Sequence, residues 1–459
     1  MLELEKMDLH IDSLMELIKK YQSEISSGRV LPEASRSEME RIIFEEMPTA
    51  GKAPEAVIGE FAEKIIPNST KVGSARFLSW IITSPSQAGI LGEMANIGLS
   101  QAPFLFKAGP AATVIEDMAI GWISSLFDFP KESGGILVSG GSVSTLTALG
   151  AAREAMFPGI TENGMHSIEK PPVLYTSKKA HASIDKAVGA LGFGKKMLRK
   201  IAVDAEYRID ANELEESILK DIQEGLRPFC IIAQAGTSVA GAVDDIQKLS
   251  EIAKKYSLWL HVDGAYGGGA IITAKGRELL RGIQEADSIS VDPHKWLFIP
   301  PEAGCVLLRN KKHLYNAYRM GQDEYNPDTP VEFVNYGIQS TRMSRAIKIW
   351  FAFKIYGINT LSATIEKNME LAKAFYEGLE GVKGLYRLNN PMTSAVCFSF
   401  EGGQEENESF LRYIEDKFFV SPAVLGGKHC IRACFSNYRT KVEHVEELLE
   451  LVRKFKGIY

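Results

Sequence analysis

The first part of the chain carries apolar residues at helical spacing. Leu14, Leu17, Ile18 and Tyr21 form one such stripe, and a second follows at residues 42–47. Spacings of three and four residues place these side chains on one face of a helix. We therefore predict a helical arm over about the first 75 residues, and its apolar face would be exposed unless it packs against a partner subunit.

Short apolar runs in the middle of the chain predict the strands of one sheet. These runs are residues 135–139, 173–176, 230–234, 260–263, 289–292 and 305–308. Helical segments lie between most of them, and nearly continuous apolar strands are typical of a parallel sheet that helices cover on both faces. The predicted fold class is therefore α/β, with a mainly parallel central sheet.

Two changes of pattern follow this region. Residues 311–336 are polar and poorly periodic, which predicts a long loop that is functional or mobile. From about residue 362, helices alternate with short strands at 395–400 and 431–435, which predicts a small α+β domain. The predicted domains are the helical arm at residues 1–75, a large α/β domain at 76–345 and the small domain at 346–459.

Composition and charge exclude several classes of function. The 52 basic and 58 acidic residues are mixed along the chain and give a net charge of −6, so we expect no nucleic-acid partner. No apolar run has the length of a membrane span, and the first residues lack the apolar core of a signal peptide. Five scattered cysteines favour free thiols over a disulfide framework or a zinc site. We therefore expect a cytoplasmic protein with no membrane partner and no metal.

Two of the predicted strands end in charged residues. Residues 259–266 read Trp-Leu-His-Val-Asp-Gly-Ala-Tyr and contain Asp263, and residues 288–296 read Ser-Ile-Ser-Val-Asp-Pro-His-Lys-Trp and contain Lys295. A buried lysine is a good nucleophile toward an aldehyde. A buried carboxylate needs a cation, and a protonated pyridine nitrogen supplies one. Lys295 and Asp263 therefore predict a site for pyridoxal 5'-phosphate.

A glycine turn provides a place for the phosphate. Residues 139–142 read Ser-Gly-Gly-Ser, follow a predicted strand and begin a predicted helix, whose free N–H groups favour an anion. Alone, such a turn is more often an ordinary strand-to-helix connection, with Ser142 as the helix cap. His181 also lies between a strand and a helix, and a single histidine is usually structural. The stronger evidence is the ordered set, because the turn, His181, Asp263 and Lys295 each follow a strand.

These motifs resemble those of a known family. Asp-Pro-His-Lys-Trp-Leu at 292–297 and His-Val-Asp-Gly-Ala-Tyr-Gly-Gly at 261–268 are the most specific of them. Further similar segments are 76–77, 82–85, 234–238, 244–246 and 337–339, with Arg342 and Arg345. The chain resembles the group II pyridoxal-phosphate-dependent amino-acid decarboxylases of the aromatic-L-amino-acid decarboxylase type. The resemblance covers nearly the whole chain, and it implies the aspartate-aminotransferase-like fold (fold type I) and a homodimer whose active sites are shared between subunits.

The resemblance also implies a role for each matching residue. Lys295 matches the lysine that binds the cofactor aldehyde, Asp263 the partner of the pyridinium nitrogen, and His181 the histidine that stacks on the ring. The other implied cofactor residues are Ala265 on the opposite ring face, Gly141, Ser142, Ser288 and Asp292 around the phosphate, and Thr237 and His294 along the cofactor. The implied substrate residues are Phe77, Trp80, Thr83 and Phe104, with Thr83 near the substrate carboxylate. Asp292 stands where some members of the family carry asparagine.

One position departs from the family pattern. The loop before Gly337 carries, in the family, a catalytic tyrosine that protonates the carbanion left by decarboxylation, and its place here is Phe333. Phenylalanine cannot donate a proton. Either Tyr336 or Tyr325 replaces the missing tyrosine, or the carbanion reacts with oxygen and gives an aldehyde, ammonia and peroxide. The sequence leaves both outcomes open.

The expected reaction is decarboxylation of an L-amino acid to the amine and carbon dioxide. Aromatic residues in the segments that resemble the substrate pocket favour Phe, Tyr or Trp as substrate, whereas Lys107 in the same region would suit an acidic amino acid. An aminotransferase or a carbon–carbon lyase would share Lys295 and Asp263. A non-catalytic protein of the same fold would not need them, and a nucleotide-binding protein would leave the Asp-Pro-His-Lys segment unexplained.

Overall fold

The N-terminal arm is helical in the computed structural model, which describes residues 4–457. It contains α1 (Met7–Ser23), α2 (Arg36–Ile43) and α3 (Pro54–Glu60), and α3 continues into one π-helical turn, Phe61–Ile65. Ser35 begins α2 as its cap, because its hydroxyl accepts the Glu38 N–H while the Glu38 carboxylate accepts the Ser35 N–H. None of the three helices contains a buried residue. Between them, Phe44 and Met47 are 82% and 86% exposed, so the arm leaves apolar surface uncovered.

Seven strands form the central sheet. They are β1 (Gly134–Val138), β2 (Pro172–Ser177), β3 (Leu198–Ile201), β4 (Arg227–Gln234), β5 (Trp259–Asp263), β6 (Ser288–Val291) and β7 (Gly304–Leu308). Their order is β1-β7-β6-β5-β4-β2-β3, and β7 alone runs antiparallel to its neighbours. The mainly parallel α/β sheet is thus confirmed. The hydrophobic pattern does not predict β3, because Arg199 and Lys200 are only partly buried and interrupt the apolar run.

Helices cover the sheet and precede or connect its strands. They are α4 (Gln87–Leu99), α5 (Pro110–Leu126), α6 (Gly141–Met156), α7 (Ile160–Asn163), α8 (Ser183–Ala190), α9 (Ala211–Gln223), α10 (Ile246–Tyr256), α11 (Ala274–Leu279) and α12 (Lys312–Tyr318). The helix α12 shows that the prediction of a loop over residues 311–336 is wrong for its first part. Leu314 and Ala317 are buried, and the Tyr318 hydroxyl donates to the Thr147 carbonyl of α6, so tertiary packing forms a helix there.

The C-terminal part has a second, smaller sheet. Its elements are α13 (Ala346–Gly378), β8 (Leu385–Arg387), β9 (Ala395–Phe400), α14 (Gly403–Ile414), β10 (Ser421–Leu425), β11 (Lys428–Cys434) and α15 (Val442–Phe455). The strands pair antiparallel in the order β10-β11-β9-β8. Gly357 (φ 67°) interrupts α13, which contacts α4 and α5 of the large part as well as β9 and α15.

Two main apolar clusters make up the interior. The larger surrounds the central sheet, and the smaller contains Phe375, Phe398 and Phe410 of the C-terminal part. The side chain of Leu78 belongs to the smaller cluster. Its backbone is joined to the C-terminal part, since its N–H donates to the Phe419 carbonyl and its carbonyl accepts the Cys434 N–H. The bounds of the predicted domains remain a prediction. Among residues 4–457, no helix is long and apolar enough to cross a membrane.

Candidate active site

A cavity of about 410 Å³ lies at the carboxyl ends of several parallel strands. Ser139 follows β1, Gln234 and Asp263 are the last residues of β4 and β5, and Asp292 follows β6; all four line the cavity. Because β4, β5 and β6 are parallel neighbours, their carboxyl ends meet at one edge of the sheet. Ligands of open α/β sheets bind at this edge.

Lys295 reaches the cavity from the turn after β6. Its Nζ lies 3.0 Å from Oδ2 of Asp292, and its side chain is 23% exposed. The Thr83 hydroxyl donates to the carbonyls of Lys295 (2.5 Å) and His294 (3.3 Å). Thr83 therefore fixes the backbone of the turn that carries the amine.

Asp263 is the buried acid of the cavity. It is 8% exposed, and one oxygen accepts the Ala265 N–H at 3.2 Å. Burial raises the pKa of its carboxyl, and the nearby Lys295 charge opposes that rise. Such a carboxylate is stabilised by a cation bound in the cavity.

His181 and Ala265 also line the cavity. The Ser183 N–H donates to His181 Nδ1 at 3.2 Å, and the Ser183 hydroxyl lies 2.8 Å from the same nitrogen. This contact orients the imidazole and assigns the proton of the neutral ring to Nε2. Ala265 follows β5 by two residues and is 8% exposed, so a flat ring in the cavity meets only a methyl group there.

The glycine turn begins α6 beside the same cavity. Gly141 is the first residue of the helix, and its N–H donates to Oδ2 of Asp292 at 2.9 Å. Gly140 and Gly304 are in close backbone contact, since a Cβ on Gly304 would lie 2.5 Å from the Gly140 Cα. Gly140, Gly141 and Ser142 line the cavity, so the turn presents a helix N-terminus to a ligand.

Two predicted cofactor residues do not line the cavity. Ser288 begins β6, at the far end of that strand from Asp292, and its hydroxyl contacts Trp259 Nε1 and His261 Nδ1, both at 2.9 Å. Thr237 is buried in a tight turn, where its hydroxyl accepts the Ala242 N–H. In this chain their hydroxyl groups serve the protein interior, and their assignment to the cofactor stays a prediction.

The predicted substrate residues do not line the cavity within this chain. Phe77 is fully buried against Phe419, and Trp80 is half exposed beside the same ring. Thr83 holds the Lys295 turn from outside, and the Phe104 carbonyl accepts the Val334 N–H of the 319–336 loop. The neighbouring Ile81 does line the cavity.

Phe333 and Tyr336 lie outside the cavity lining as well. Phe333 is 1% exposed, and the Arg342 guanidinium lies 5.4 Å from its ring centre. Arg342 in turn makes two hydrogen bonds to Glu116 of α5, in a buried ion pair. Burial raises the pKa of Tyr336, so its phenol stays protonated. Within this chain, the segment with the departure from the family pattern is packed against α5.

Histidines near the site differ in burial. Burial lowers the pKa of His294, which lines the cavity, although Asp292 at 3.8 Å opposes that shift. The Ala303 N–H donates to His294 Nδ1, so that nitrogen carries no proton. His261 is fully buried below the sheet edge, and burial lowers its pKa to about 3.

Some lining residues are not predicted from the sequence. Tyr266, Ser238 and Gln234 line the cavity, and each is adjacent in sequence to a predicted motif or within one. The signal that could have found them is the strand end itself, because the residues directly at and after a parallel strand face the ligand edge.

A larger cleft of about 840 Å³ lies elsewhere, between α10, α11, α13 and residues 390–392. Basic and acidic side chains line it in equal number, which gives it no preference for one charge. The smaller cavity is the candidate active site, because Lys295, Asp263 and the glycine turn all line it. Among residues 4–457, no group of three or more His, Cys, Asp or Glu residues is arranged to hold a metal ion.

Comparison with known proteins gives consistent matches over most of the chain. Residues 37–401 match the model of the pyridoxal-dependent decarboxylase conserved domain. The chain is 32% identical to an aromatic-L-amino-acid decarboxylase of Bacillus atrophaeus, over 98% of this chain and 93% of that protein.

Two crystal structures are similar over 99% of both chains, each at 26% identity. One is a tryptophan decarboxylase of Catharanthus roseus in complex with L-tryptophan, with a TM-score of 0.92. The other is a 4-hydroxyphenylacetaldehyde synthase of Rhodiola rosea, with a TM-score of 0.90. The fold is therefore shared by a decarboxylase and by an aldehyde synthase.

Proposed function

Because the chain belongs to the pyridoxal-dependent decarboxylase family, we propose that its 410 Å³ cavity removes the carboxyl group of an aromatic L-amino acid. The protein is a pyridoxal-phosphate-dependent lyase that acts on an amino acid. The observation that carries the proposed site is the meeting of Lys295, Asp263, His181 and the Gly141 turn at one cavity.

The residues of the cavity fit pyridoxal 5'-phosphate. Lys295 provides the amine for the aldehyde, and Asp263 provides a buried negative charge for a protonated ring nitrogen. The Gly141 turn provides a helix N-terminus for the phosphate. When bound, the cofactor supplies the electron sink for the breaking bond between Cα and the carboxylate.

The protein residues then position the substrate and hold protons. Asp263 would hold the proton on the ring nitrogen, because burial leaves its carboxylate in need of a neighbouring cation. His181 and Ala265 both line the cavity, and together they would limit the orientation of a flat ring. Thr83 holds the backbone of Lys295 and so the position of the amine.

An aromatic side chain is the preferred substrate for two reasons. The similar proteins include an aromatic-L-amino-acid decarboxylase and a tryptophan decarboxylase with bound L-tryptophan. The cavity wall includes Ile81 and Tyr266, whose apolar surfaces favour an aromatic side chain.

We also propose a cytoplasmic homodimer with shared active sites. Leu105 and Phe106 are about 40% exposed beside the 319–336 loop, and the loop is joined to them because the Phe106 N–H donates to Glu332. In this proposal Phe104, Phe333 and Tyr336 complete the cavity of the partner subunit. None of the three lines the cavity of its own chain, which supports that arrangement.

A second reaction is favoured by Phe333. Without a phenol at this position, the carbanion lacks its proton donor and oxygen can take the electron pair. The balanced reaction is amino acid, oxygen and water to aldehyde, carbon dioxide, ammonia and hydrogen peroxide. The similar aldehyde synthase supports keeping this as the second candidate.

A product balance distinguishes the two reactions. The purified holoenzyme is given Phe, Tyr, Trp or Glu in air, and amine, carbon dioxide, aldehyde and peroxide are quantified. Equal amounts of amine and carbon dioxide from an aromatic substrate are expected for the decarboxylase. Aldehyde equal to peroxide would support the oxidative reaction, and Phe333→Tyr should then shift the products toward amine by about tenfold or more. No carbon dioxide from any aromatic substrate would contradict the proposal.

A further inference from the structure

The Asp292 carboxylate accepts a hydrogen bond from the glycine turn, at the N–H group that begins α6. Its Oδ2 accepts the Gly141 N–H at 2.9 Å and lies 3.0 Å from Lys295 Nζ. Gly141 begins α6, a helix of 16 residues, and the unpaired N–H groups of a helix start favour a negative charge. The side chain of Asp292 therefore fills a place that suits the phosphate of the cofactor.

The contact between Asp292 and the turn is close. A Cβ on Gly141 would lie only 2.9 Å from Oδ2, and Asp292 itself is 2% exposed. The other oxygen, Oδ1, is buried and has no hydrogen-bond partner among the described residues. The nearby charged or titratable groups are Lys295, His294, Asp263 and the Cys305 thiol, and of these only Lys295 is within hydrogen-bond distance. The carboxylate thus depends on the same two groups that the cofactor needs.

We propose that Asp292 is an internal anion that competes with the cofactor phosphate for the N-terminus of α6 and thereby limits how tightly the enzyme holds its cofactor. The inference rests on the proposed function, because it requires the phosphate to bind at Gly141. Two negative groups at one N–H repel each other strongly in a buried site. The repulsion then acts on the bound cofactor.

The variant Asp292→Asn tests this inference, because it removes the charge and keeps the size of the side chain. Dissociation constants of the apoenzyme are measured by spectroscopic titration with pyridoxal phosphate, with pyridoxal and with inorganic phosphate, all at one pH. The variant should bind pyridoxal phosphate and inorganic phosphate about tenfold or more tightly than the wild type. Its affinity for pyridoxal, which lacks the phosphate, should change by less than about twofold.

Asp287→Asn is the matched control. Asp287 lies at the opposite end of β6, where its carboxylate accepts the Leu260 N–H at 2.7 Å. It does not line the cavity, so its neutralisation should leave all three affinities unchanged. Asp292→Ser serves as a second variant if the asparagine variant does not fold, which a thermal melt would reveal.

The possible outcomes separate the two proposals. Wild-type binding of pyridoxal phosphate with no gain in either Asp292 variant would overturn the inference alone. An equal gain for pyridoxal would also overturn it, because Asp292 would then act through Lys295. A similar gain in affinity in Asp287→Asn would also overturn it, because the effect would then come from the net charge of the protein and not from the position of Asp292. If the folded wild type bound neither pyridoxal phosphate nor inorganic phosphate, the proposed function would fail and the inference with it.

Discussion

His261 is a buried base that the chemistry of the cavity does not use. Its Nδ1 lies 2.9 Å from the Ser288 hydroxyl, and Nε2 lies 3.4 Å from the Ser290 hydroxyl. Burial lowers its pKa to about 3, so the ring stays neutral in the folded protein at every pH above that value. An unfolded histidine binds a proton below about pH 6.5. Unfolding therefore takes up one proton between these two values, and stability is lost as the pH falls.

The expected result is a steep loss of stability below pH 6.5. His261 alone should contribute a slope of about 1.4 kcal/mol per pH unit between pH 6 and pH 4. In His261→Gln this contribution to the pH dependence of the free energy of unfolding should disappear, even if the variant is less stable than the wild type at neutral pH. Urea unfolding at several pH values measures the slope, and His429→Gln is the control because His429 is exposed. An unchanged slope in His261→Gln would contradict a neutral buried ring.

Single residues of the cavity could be predicted where strand direction fixes them. Asp263 and Asp292 come directly at or after parallel strands, so their place at the ligand edge follows from the order of the chain. Ser288 and Thr237 could not be assigned in this way. Which neighbour their hydroxyl groups bind, Trp259 and His261 in one case and the Ala242 N–H in the other, depends on tertiary contacts.

At the scale of elements, β7 and α6 meet without side chains between them. Gly304 begins β7, and Gly140 precedes α6. A Cβ on Gly304 would lie 2.5 Å from the Gly140 Cα, and a Cβ on Gly140 would lie 2.9 Å from the His294 ring. The position of the phosphate turn therefore depends on glycine in the neighbouring antiparallel strand.

Gly304→Ala should damage both stability and cofactor binding. The added methyl group can be accommodated only if the Gly140 backbone moves, which should cost about 1–3 kcal/mol. The displaced turn should also weaken the binding of pyridoxal phosphate. Denaturant unfolding and cofactor titration measure the two effects. Gly189→Ala in α8 is the control, because its Cβ would meet only Lys195 Cε at 3.7 Å. Equal behaviour of the two variants would contradict the role of the close approach.

Elements differ in how far the sequence predicts them. The strands β4, β5 and β6 are predicted because apolar residues such as Ile231, Val262 and Ile289 recur in short segments, and nearly all residues of these strands are buried. The helix α12 is not, since it is held by Leu314 and Ala317 and by the hydrogen bond from Tyr318 to α6, which only the folded chain supplies. The hydrophobic pattern of the sequence predicts an element when one face is buried along its whole length. It fails when a few tertiary contacts decide whether the element forms.

At the scale of the molecule, exposed apolar side chains concentrate on the arm and beside the 319–336 loop. Phe44 and Met47 have the largest exposed fractions of the arm, and Leu105 and Phe106 lie next to the loop. Fully burying a side chain of this size contributes about 1.5–3 kcal/mol. A dimer that covers these surfaces therefore gains stability, and the sequence pattern of the arm already favours this interpretation.

The double variant Phe44→Asp with Met47→Asp should weaken the proposed dimer. Charges in a buried apolar interface should raise the dissociation constant about 100-fold or more. Activity per chain should fall together with the dimer fraction if the sites are shared. Analytical ultracentrifugation measures the mass, and Tyr386→Asp on β8 is the control because Tyr386 is also exposed but lies on the small sheet. A monomeric wild type with full activity would contradict the proposed assembly.

The most direct test of the proposed site is to locate the cofactor on the chain. The holoenzyme is reduced with borohydride and digested, and the pyridoxyl group is located by mass spectrometry. We expect one group per chain on the peptide that contains Lys295, and none on that peptide in Lys295→Ala. The buried Lys348, paired with Glu93 at 2.9 Å, should remain unlabelled. Stoichiometric labelling of Lys348 or of any other lysine, or a folded protein that retains no label, would contradict the assignment of the cavity.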